Sequence, residues 1–281
     1  MNDPVPDSAF HWTVEPWGRA LRCAPLEVVA QHVFTSKQLK LPDPDGWTAA
    51  AASVGGTTNQ VRRVKQVHGN VVRVLKRSET GVADAEAKPD GDAVVSNVAG
   101  LLLAVMVADC VPIIVADRTS GAAGAIHAGW RGTSARVGPA ALESMRRHFG
   151  TDPSDLTVAI GPSIGPDDYQ VGEALIETFQ QAGHAASDLA RWFRRRDSHL
   201  LLDLWAANRD QLIDAGVQAD RIFTCGLSTL AHTEVFDSFR SAGERAGRMA
   251  AIVAVPLSGT KKNAGREGVP PCVTGPASAG R

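Results

Sequence analysis

The sequence of 281 residues predicts an α+β fold, a mixed α/β sandwich in which mixed β-sheets have helices packed on their outer sides. Two observations lead to this class. Between residues 61 and 130, short β-rich runs are separated by turns, and no helical periodicity is evident. From residue 133 onward, helix-like and strand-like segments alternate. Strands first and mixed elements later are typical of an α+β or mixed α/β sandwich.

The strands of the first half are predicted by short apolar or alternating runs bounded by turn residues. These runs are 61–67, 71–75, 93–97, 101–107, 111–117 and 122–128. The polar stretch 77–92 is rich in residues that break regular structure, so it predicts a loop and not a domain boundary.

The second half predicts both helices and strands. An amphipathic period over 136–150 that ends at Gly150 predicts the first helix. The other predicted helices are 172–183 and 205–216, and the predicted strands are 156–161, 199–204, 221–227 and 248–255. Because no repeat or linker is found, residues 1–257 are expected to form one domain. The tail 258–281 is rich in Gly, Pro, Ser and Ala, and it is expected to be disordered.

Composition excludes several classes of function. Lys and Arg together number 29 and Asp and Glu 30, so no overall positive field would attract nucleic acid or an anionic membrane. The most apolar run, 101–117, contains Asp109 and Pro112 and is shorter than the roughly 20 residues of a membrane helix. The N-terminus lacks the pattern of a secretory signal, and the four scattered cysteines form no CxxC pair. We therefore expect a cytoplasmic protein with reduced thiols.

Three residues with metal-binding side chains stand at or near strand ends, beside Gly or Pro turns. They are His68 in KQVHGN, Cys110 in ADCVP and His127 in AIHAGW. Two imidazoles and one thiolate suit a zinc ion and leave a fourth position for water or substrate. A turn histidine without a metal and a buried core cysteine are the alternatives, and the spacing of the three residues does not decide between them.

Two charged residues near these positions are candidate catalytic groups. Asp109 lies in the apolar run 101–117, which is predicted to be buried, and it is the only charged residue of that run before its last position. A buried carboxylate needs a partner. It is a candidate acid/base or metal-supporting group, or else a strand end that faces solvent. Arg131 follows Trp130 where a strand gives way to a helix expected to begin near Thr133 or Ser134. This arrangement favours phosphate binding, with a solvated arginine in a glycine-rich turn as the alternative.

Two other segments are candidate walls of a ligand site. In 159–172, glycines and prolines fix a loop that carries Tyr169, the only tyrosine of the chain. In 236–248, aromatic side chains can stack on a planar base while arginines bind an anion. These residues are Phe236, Phe239, Arg240 and Arg248.

From about residue 60 to 255, the chain resembles the laccase-domain family, also called multicopper polyphenol oxidases. Peptidoglycan editing factors and zinc-dependent purine nucleoside phosphorylases belong to this family. The resemblance rests on an ordered set of blocks: KQVHGN, GDAVVSN, ADCVPIIVAD, AIHAGWRGT, IGPSIGPDDYQVG, the region from DLWAANRDQLIDAGV to TCGLST, and FDSFRSAGERAGR. No single block is specific, but the order is.

The resemblance implies that His68, Cys110 and His127 are the family's metal ligands. It also implies a zinc enzyme of mixed α/β fold that splits adenosine or inosine with phosphate, and in some members deaminates adenosine. The family's older name reflects copper-dependent oxidation of phenols. The chain departs from the family in 32–47, where Lys37 stands near an expected arginine and no Asn-Leu-Gly motif is found. Ser163 and Phe239 replace a common Cys and Tyr.

The leading hypothesis is a zinc-dependent purine nucleoside phosphorylase that binds phosphate near Arg131 and Arg240 or Arg248. A cysteine hydrolase or deamidase is the second enzyme hypothesis, with Cys110 as nucleophile, His127 as base and Asp109 or another polar group as the residue that orients the base. A copper polyphenol oxidase would need more histidine ligands, including HxH pairs that the sequence lacks. A non-catalytic protein stabilised by zinc is the fourth hypothesis.

Overall fold

The structure is a computed structural model that describes residues 3–43, 45–77 and 88–256. The predicted tail 258–281 and most of the predicted loop 77–92 lie outside these ranges. Within them, no helix has both the length and the apolar character needed to cross a membrane. Cys23, Cys110 and Cys225 are free thiols, as the sequence predicts.

Fifteen strands are found in the described residues. They are β1 (Phe10–Glu15), β2 (Gly18–Cys23), β3 (His32–Thr35), β4 (Val61–Arg63), β5 (Val72–Leu75), β6 (Ala93–Ser96), β7 (Leu102–Val107), β8 (Val111–Asp117), β9 (Ala123–Ala128), β10 (Leu156–Ile160), β11 (Gln170–Val171), β12 (Phe193–Arg196), β13 (His199–Leu202), β14 (Ile222–Thr224) and β15 (Met249–Ala254).

The same ranges contain eight α-helices, most of them short. They are α1 (Ala24–Glu27), α2 (Gly46–Ala52), α3 (Trp130–Ser134), α4 (Val137–Phe149), α5 (Ala174–Gln181), α6 (Ala186–Trp192), α7 (Leu204–Asp214) and α8 (Phe239–Ala242).

The strands form two six-stranded sheets and one small sheet. The first has the order β1-β2-β3-β15-β7-β4 and the second β14-β10-β8-β9-β6-β5, while β11-β13-β12 stands apart. Most neighbours are antiparallel, but β4 runs parallel to β7, β5 to β6, and β10 to β14. These are mixed sheets, as predicted.

The two large sheets pack face to face through alternate apolar residues of their strands. Leu103 and Val105 of β7 share one buried cluster with Ile114 of β8 and Ala125 of β9. The intervening Leu102 and Ala104 point to the opposite side of the first sheet, where they pack with α2. Side chains alternate along a strand in this way, so a continuous apolar run predicts a strand buried on both faces.

The outer face of the second sheet is covered by helices. Ile113 and Val115 of β8 pack with α4 through Leu142 and Met145. Helices α5, α6 and α7 extend this layer through Phe179, Leu189, Trp192, Ala207 and Leu212. The predicted sandwich with helices on the outside is thus confirmed.

The predicted strands of the first half agree with β4 to β9, although β4 ends at Arg63 and residue 67 lies in the following loop. The predicted helix 136–150 corresponds to α4. A helix start near Thr133 or Ser134 was wrong, because α3 begins at Trp130 and these two residues form its last turn.

His32 of β3 is a histidine held neutral in the core. Its side chain is completely buried, Nε2 accepts a hydrogen bond from the Cys23 backbone N–H at 2.9 Å, and Nδ1 lies 3.2 Å from the Ala30 carbonyl oxygen. Both ring nitrogens are therefore used by one neutral tautomer. Burial lowers the pKa of His32 from 6.5 to about 4, and the Arg22 charge acts in the same direction.

Protonation of His32 is expected to destabilise the fold in acid. The unfolded chain takes up this proton near pH 6.5, whereas the folded chain does so only near pH 4. The contribution of His32 is therefore complete above pH 6.5 and is lost as the pH falls toward 4, by an amount on the order of 3 kcal/mol. Denaturant unfolding of His32→Gln between pH 7 and 4.5 should show a shallower loss than the parent protein. The exposed His148→Gln serves as control, and equal slopes for His32→Gln and the parent would contradict the prediction.

Candidate metal centre and active-site cavity

Three potential metal ligands from separate segments meet at one edge of the second sheet. The donor atoms of His68, Cys110 and His127 all lie within 4.8 Å of one another. The two imidazole rings meet edge to face, with centroids 4.9 Å apart. The three side chains therefore converge in the structure as predicted, and their role as metal ligands stays a prediction.

The pairing of β8 with β9 places two of these residues together. Pro112 lies opposite His127 and Val111 opposite Ala128. The turn that precedes β8 therefore brings Cys110 beside the end of β9. His68 reaches the same point from the loop between β4 and β5.

Asp92, which the sequence analysis did not single out, holds two of the three potential ligands. Its fully buried carboxylate has Oδ1 2.9 Å from His127 Nδ1 and accepts hydrogen bonds from the backbone N–H groups of His68 at 2.9 Å and Gly69 at 2.6 Å. A carboxylate on one ring nitrogen fixes the tautomer and leaves the other nitrogen to bind a metal. The sequence signal that could have identified Asp92 is its position directly before the apolar run of β6, where a carboxylate is predicted to be buried.

Two residues of the site have left-handed backbone conformations, which residues other than glycine rarely adopt. His68 has φ of 61° and Asp109 has φ of 81°. Such conformations cost on the order of 1–3 kcal/mol and persist where surrounding contacts enforce them. Asp92 supplies that contact for His68. For Asp109, the carbonyl oxygen accepts a hydrogen bond from the Ile164 N–H at 2.9 Å.

The cluster favours an ionised thiol. Burial raises the pKa of Cys110, but hydrogen bonds and positive charge from His127 and His68 outweigh burial and lower it to about 6. Burial lowers the pKa of His127, whereas Asp92 and Cys110 raise it to about 9. The site therefore stabilises a thiolate, which is the form of cysteine that binds metals or acts as a nucleophile.

These residues fit a divalent metal ion. The set offers two imidazole nitrogens and one thiolate, and a buried carboxylate supports one of the imidazoles. All three potential ligand residues line a cavity, so a fourth coordination position on such an ion would open into that cavity.

Gly129 allows the close approach of two ligand segments. A β-carbon at this position would lie 2.8 Å from Cys110 Sγ and 3.4 Å from His68 Cδ2. Its φ of −71° is open to any residue, so the requirement for glycine comes from space and not from backbone conformation.

The cavity has a volume of about 700 Å³ and brings together all but one of the other predicted site residues. Those that line it are Asp109, Trp130, Arg131, Tyr169, Phe239, Arg240 and Arg248. Phe236 does not line the cavity, contrary to the prediction. It is buried in the core and stacks on Trp12, with the two ring centroids 5.9 Å apart.

Asp109 makes two hydrogen bonds with its carboxylate. Oδ1 accepts from the Thr229 hydroxyl at 2.7 Å, and Oδ2 accepts from the Arg240 backbone N–H at 2.6 Å. These contacts join the turn that carries Cys110 to the segment that forms the opposite wall of the cavity.

Each of the three arginines of the cavity lies over an aromatic ring. The guanidinium carbon of Arg131 is 4.3 Å from the Trp130 ring centroid. Arg240 lies 5.0 Å from the Tyr169 ring and Arg248 lies 5.8 Å from the Phe239 ring. Burial raises the pKa of Tyr169 to about 12, so this phenol remains a hydrogen-bond donor at neutral pH.

Two departures from the family pattern lie away from the cavity lining. Lys37 donates a hydrogen bond from Nζ to the Thr233 carbonyl oxygen, in the loop that precedes α8. Ser163 is buried and accepts a hydrogen bond from Trp205 Nε1 at 2.6 Å. Neither side chain is placed to contact a ligand in the cavity.

Asp92→Asn should weaken metal binding by about 10- to 100-fold, because His127 loses the carboxylate that orients it. Titration with Co²⁺, followed through the absorption of its bond to thiolate, measures the affinity. Asp90→Asn is the matched control, since Asp90 is exposed and lies 3.6 Å from Lys65 Nζ. An affinity for Asp92→Asn within about twofold of the parent value would contradict the role of Asp92.

Gly129→Ala should also reduce Co²⁺ affinity, by at least about tenfold, because the added methyl group displaces Cys110 Sγ. Gly172→Ala is the control, because a β-carbon there meets nothing within 4 Å. Unchanged cobalt–thiolate absorption in Gly129→Ala would show that the ligand segments can move apart without loss of the site.

Comparison with known proteins places the chain in a family. A family model described as multi-copper polyphenol oxidoreductase laccase matches residues 46–256. A purine nucleoside phosphorylase of Deinococcus radiodurans is 37% identical over 206 residues, which are 73% of this chain and 74% of that protein. Adenosine deaminase RL5, from an unknown prokaryotic organism, is 34% identical over 209 residues, 73% of this chain and 78% of its own length.

Among solved structures, YlmD from Geobacillus stearothermophilus matches with a TM-score of 0.77 and 27% identity. The match covers 88% of this chain and 99% of YlmD. Because the family model spans most of the sequence and relatives above 30% identity cover more than two thirds of it, the chain belongs to the multi-copper polyphenol oxidoreductase laccase family.

Proposed function

We propose that the protein is a zinc-dependent purine nucleoside phosphorylase that splits nucleosides such as adenosine and inosine with phosphate, and that it also deaminates adenosine. The observation that carries this proposal is the His68–Cys110–His127 cluster, which opens into a cavity lined by three arginine–aromatic pairs. Relatives named purine nucleoside phosphorylase and adenosine deaminase support the same substrate class.

Zinc suits the cluster better than copper does. Two imidazoles and one thiolate with an open fourth position match a catalytic zinc site. Multicopper oxidation needs further histidine ligands, and only one cluster of three potential ligands is found in the described part of the chain. When bound, zinc would supply Lewis acidity and a lowered pKa for a coordinated water.

In phosphorolysis, the bond between C1′ of the ribose and the base nitrogen breaks, and a bond from C1′ to a phosphate oxygen forms. We assign phosphate binding to Arg131, with Arg240 and Arg248 as further cationic groups of the same cavity. Guanidinium groups bind phosphate through paired hydrogen bonds, and holding the reactants in place supplies much of the rate acceleration.

The aromatic residues Trp130, Tyr169 and Phe239 are assigned to the base and ribose. All three rings line the cavity, where a planar base can stack on an aromatic surface. Asp109 is assigned as a positioning residue and not as an acid or base, because both carboxylate oxygens already accept hydrogen bonds.

A cysteine hydrolase is the second candidate, and one observation favours it. Cys110, His127 and Asp92 form a thiolate, imidazole and carboxylate series in which Asp92 orients His127, as in a nucleophilic triad. In this alternative, Asp92 and not Asp109 is the orienting group. Alkylation separates the two functions, since a metal-bound thiolate reacts slowly with iodoacetamide and a free thiolate reacts fast.

Protein purified without a metal-affinity tag should contain about one zinc per chain and release base from adenosine or inosine only with phosphate. Cys110→Ala removes a ligand, so zinc should be lost and base release should fall by more than about 100-fold. Elemental analysis and chromatography of the products measure both. The matched control is Cys225→Ala, a buried cysteine of the core that should retain zinc and turnover.

Conversion of adenosine to inosine without phosphate tests the deaminase activity in the same samples. A zinc-free parent protein with full phosphorolysis would exclude the proposed metal dependence. Rapid alkylation of Cys110 in metal-replete protein without nucleoside turnover would favour the cysteine hydrolase.

A further inference from the structure

Gln66 lies shortly before His68 in the sequence and uses both ends of its side-chain amide on one backbone residue. Its Nε2 donates to the Met106 carbonyl oxygen at 2.7 Å, and its Oε1 accepts from the Met106 N–H at 2.8 Å. A neighbouring strand would bond the same two kinds of backbone group. The amide of Gln66 therefore takes the place of a strand residue beside β7.

The main chain has left β7 at this point. Strand β4 pairs with β7 in parallel as far as Arg63, which lies opposite Ala104. Lys65 would lie opposite Met106 if this pairing continued, but it forms a parallel bridge with Asp90 instead. Backbone groups inside a fold need hydrogen-bond partners, and the Gln66 side chain supplies them where the strand does not.

The loop that carries His68 is thus fastened to both large sheets. Gln66 joins it to β7 of the first sheet. Asp92, which directly precedes β6 of the second sheet, accepts a hydrogen bond from the His68 backbone N–H at 2.9 Å. Because His68 is exposed, the packed core does not fix it, and its position depends on these two attachments.

Met106 is a firm anchor that is also connected to Cys110. On its other side, β7 pairs with β15, where Ala250 lies opposite Met106. Strand β7 ends at Val107, and the turn that follows carries Cys110 to the start of β8. A segment fastened to Met106 is therefore also held relative to Cys110.

We propose that Gln66 is a positioning residue of the metal centre, which sets the place of His68 relative to Cys110. The inference rests on the candidate metal site that the proposed function uses, and it gives His68 a second support beside Asp92. Both ends of the Gln66 amide are engaged with Met106, so this side chain is assigned to hold the ligand segment and not to bind the metal.

Gln66→Met tests the proposal, because methionine has a similar length but makes neither hydrogen bond. Co²⁺ titration of the full chain, after removal of bound metal, should show an affinity at least about tenfold below that of the parent protein. At saturation the cobalt–thiolate absorption should persist, because Cys110 stays in place. The d–d bands, which depend on the number and arrangement of the ligands, should change as His68 shifts.

Gln60→Met is the matched control. Gln60 directly precedes β4, and its Nε2 donates to the Gly100 carbonyl oxygen at 2.8 Å, just before β7. It therefore joins the same two strands at the end away from His68 and Cys110. Denaturant unfolding shows whether the two variants lose comparable stability, and Gln60→Met should retain the Co²⁺ affinity and spectrum of the parent protein.

A double-mutant cycle separates positioning of His68 from a general loss of structure. In a His68→Ala background, Gln66→Met should have little further effect on Co²⁺ affinity, because Gln66 acts through His68. An equal loss of affinity in both backgrounds would overturn the proposal. Unchanged affinity and spectrum in the single variant Gln66→Met would overturn it as well.

Base release separates failure of this inference from failure of the proposed function. Coupling between Gln66 and His68 without phosphate-dependent base release would retain the positioning role and reject phosphorolysis. Phosphate-dependent base release in a protein that shows no such coupling would do the reverse.

Discussion

The buried carboxylate of Asp92 is the interaction on which the candidate site depends. One side chain with no solvent exposure is within hydrogen-bond distance of the His127 ring and accepts from the backbone N–H groups of His68 and Gly69. Burial raises the pKa of this carboxyl, but the three contacts outweigh burial and lower it. Hydrogen bonds thereby offset the desolvation of the charge, and the same bonds fix two potential ligands in place. An asparagine in place of Asp92 would have the same shape but would lack the negative charge that attracts the His127 ring.

The sandwich explains why residues so distant in sequence can share this carboxylate. Strand β6 begins directly after Asp92 and pairs with β9, which ends at His127 and its neighbour Ala128. Strand β8 pairs with β9 on the other side and brings Cys110 to the same edge. Both faces of this sheet are buried, one against the other sheet and one against helices, so the strands cannot slip without exposing apolar residues. Packing of the core therefore sets the geometry of the polar site.

Sequence patterns predicted the strands that are buried on both faces, because a continuous apolar run such as 101–117 is typical of strands covered on both sides. They did not predict β1 to β3 of the first sheet, where β1 is an edge strand with only Phe10 buried. The role of Asp92 was also missed, because its contacts with His68 and His127 cross 24 and 35 residues of sequence. Phe236 and Phe239 are only three positions apart, yet one is buried against Trp12 and the other lines the cavity. Which aromatic residue faces a ligand depends on the start of α8, and no periodicity in so short a segment specifies it.

His68 is the residue that separates a metal site from a cysteine–histidine–aspartate triad. A triad needs one imidazole, and His127 with Asp92 already provides it. His68 nevertheless lies within reach of Cys110 in a left-handed conformation, which costs on the order of 1–3 kcal/mol and is held by Asp92. Edge-to-face packing of the two rings at 4.9 Å directs a second nitrogen donor toward the same point. A second imidazole maintained against backbone strain has no task in a triad but completes a three-ligand metal site, and this favours the zinc enzyme over the cysteine hydrolase.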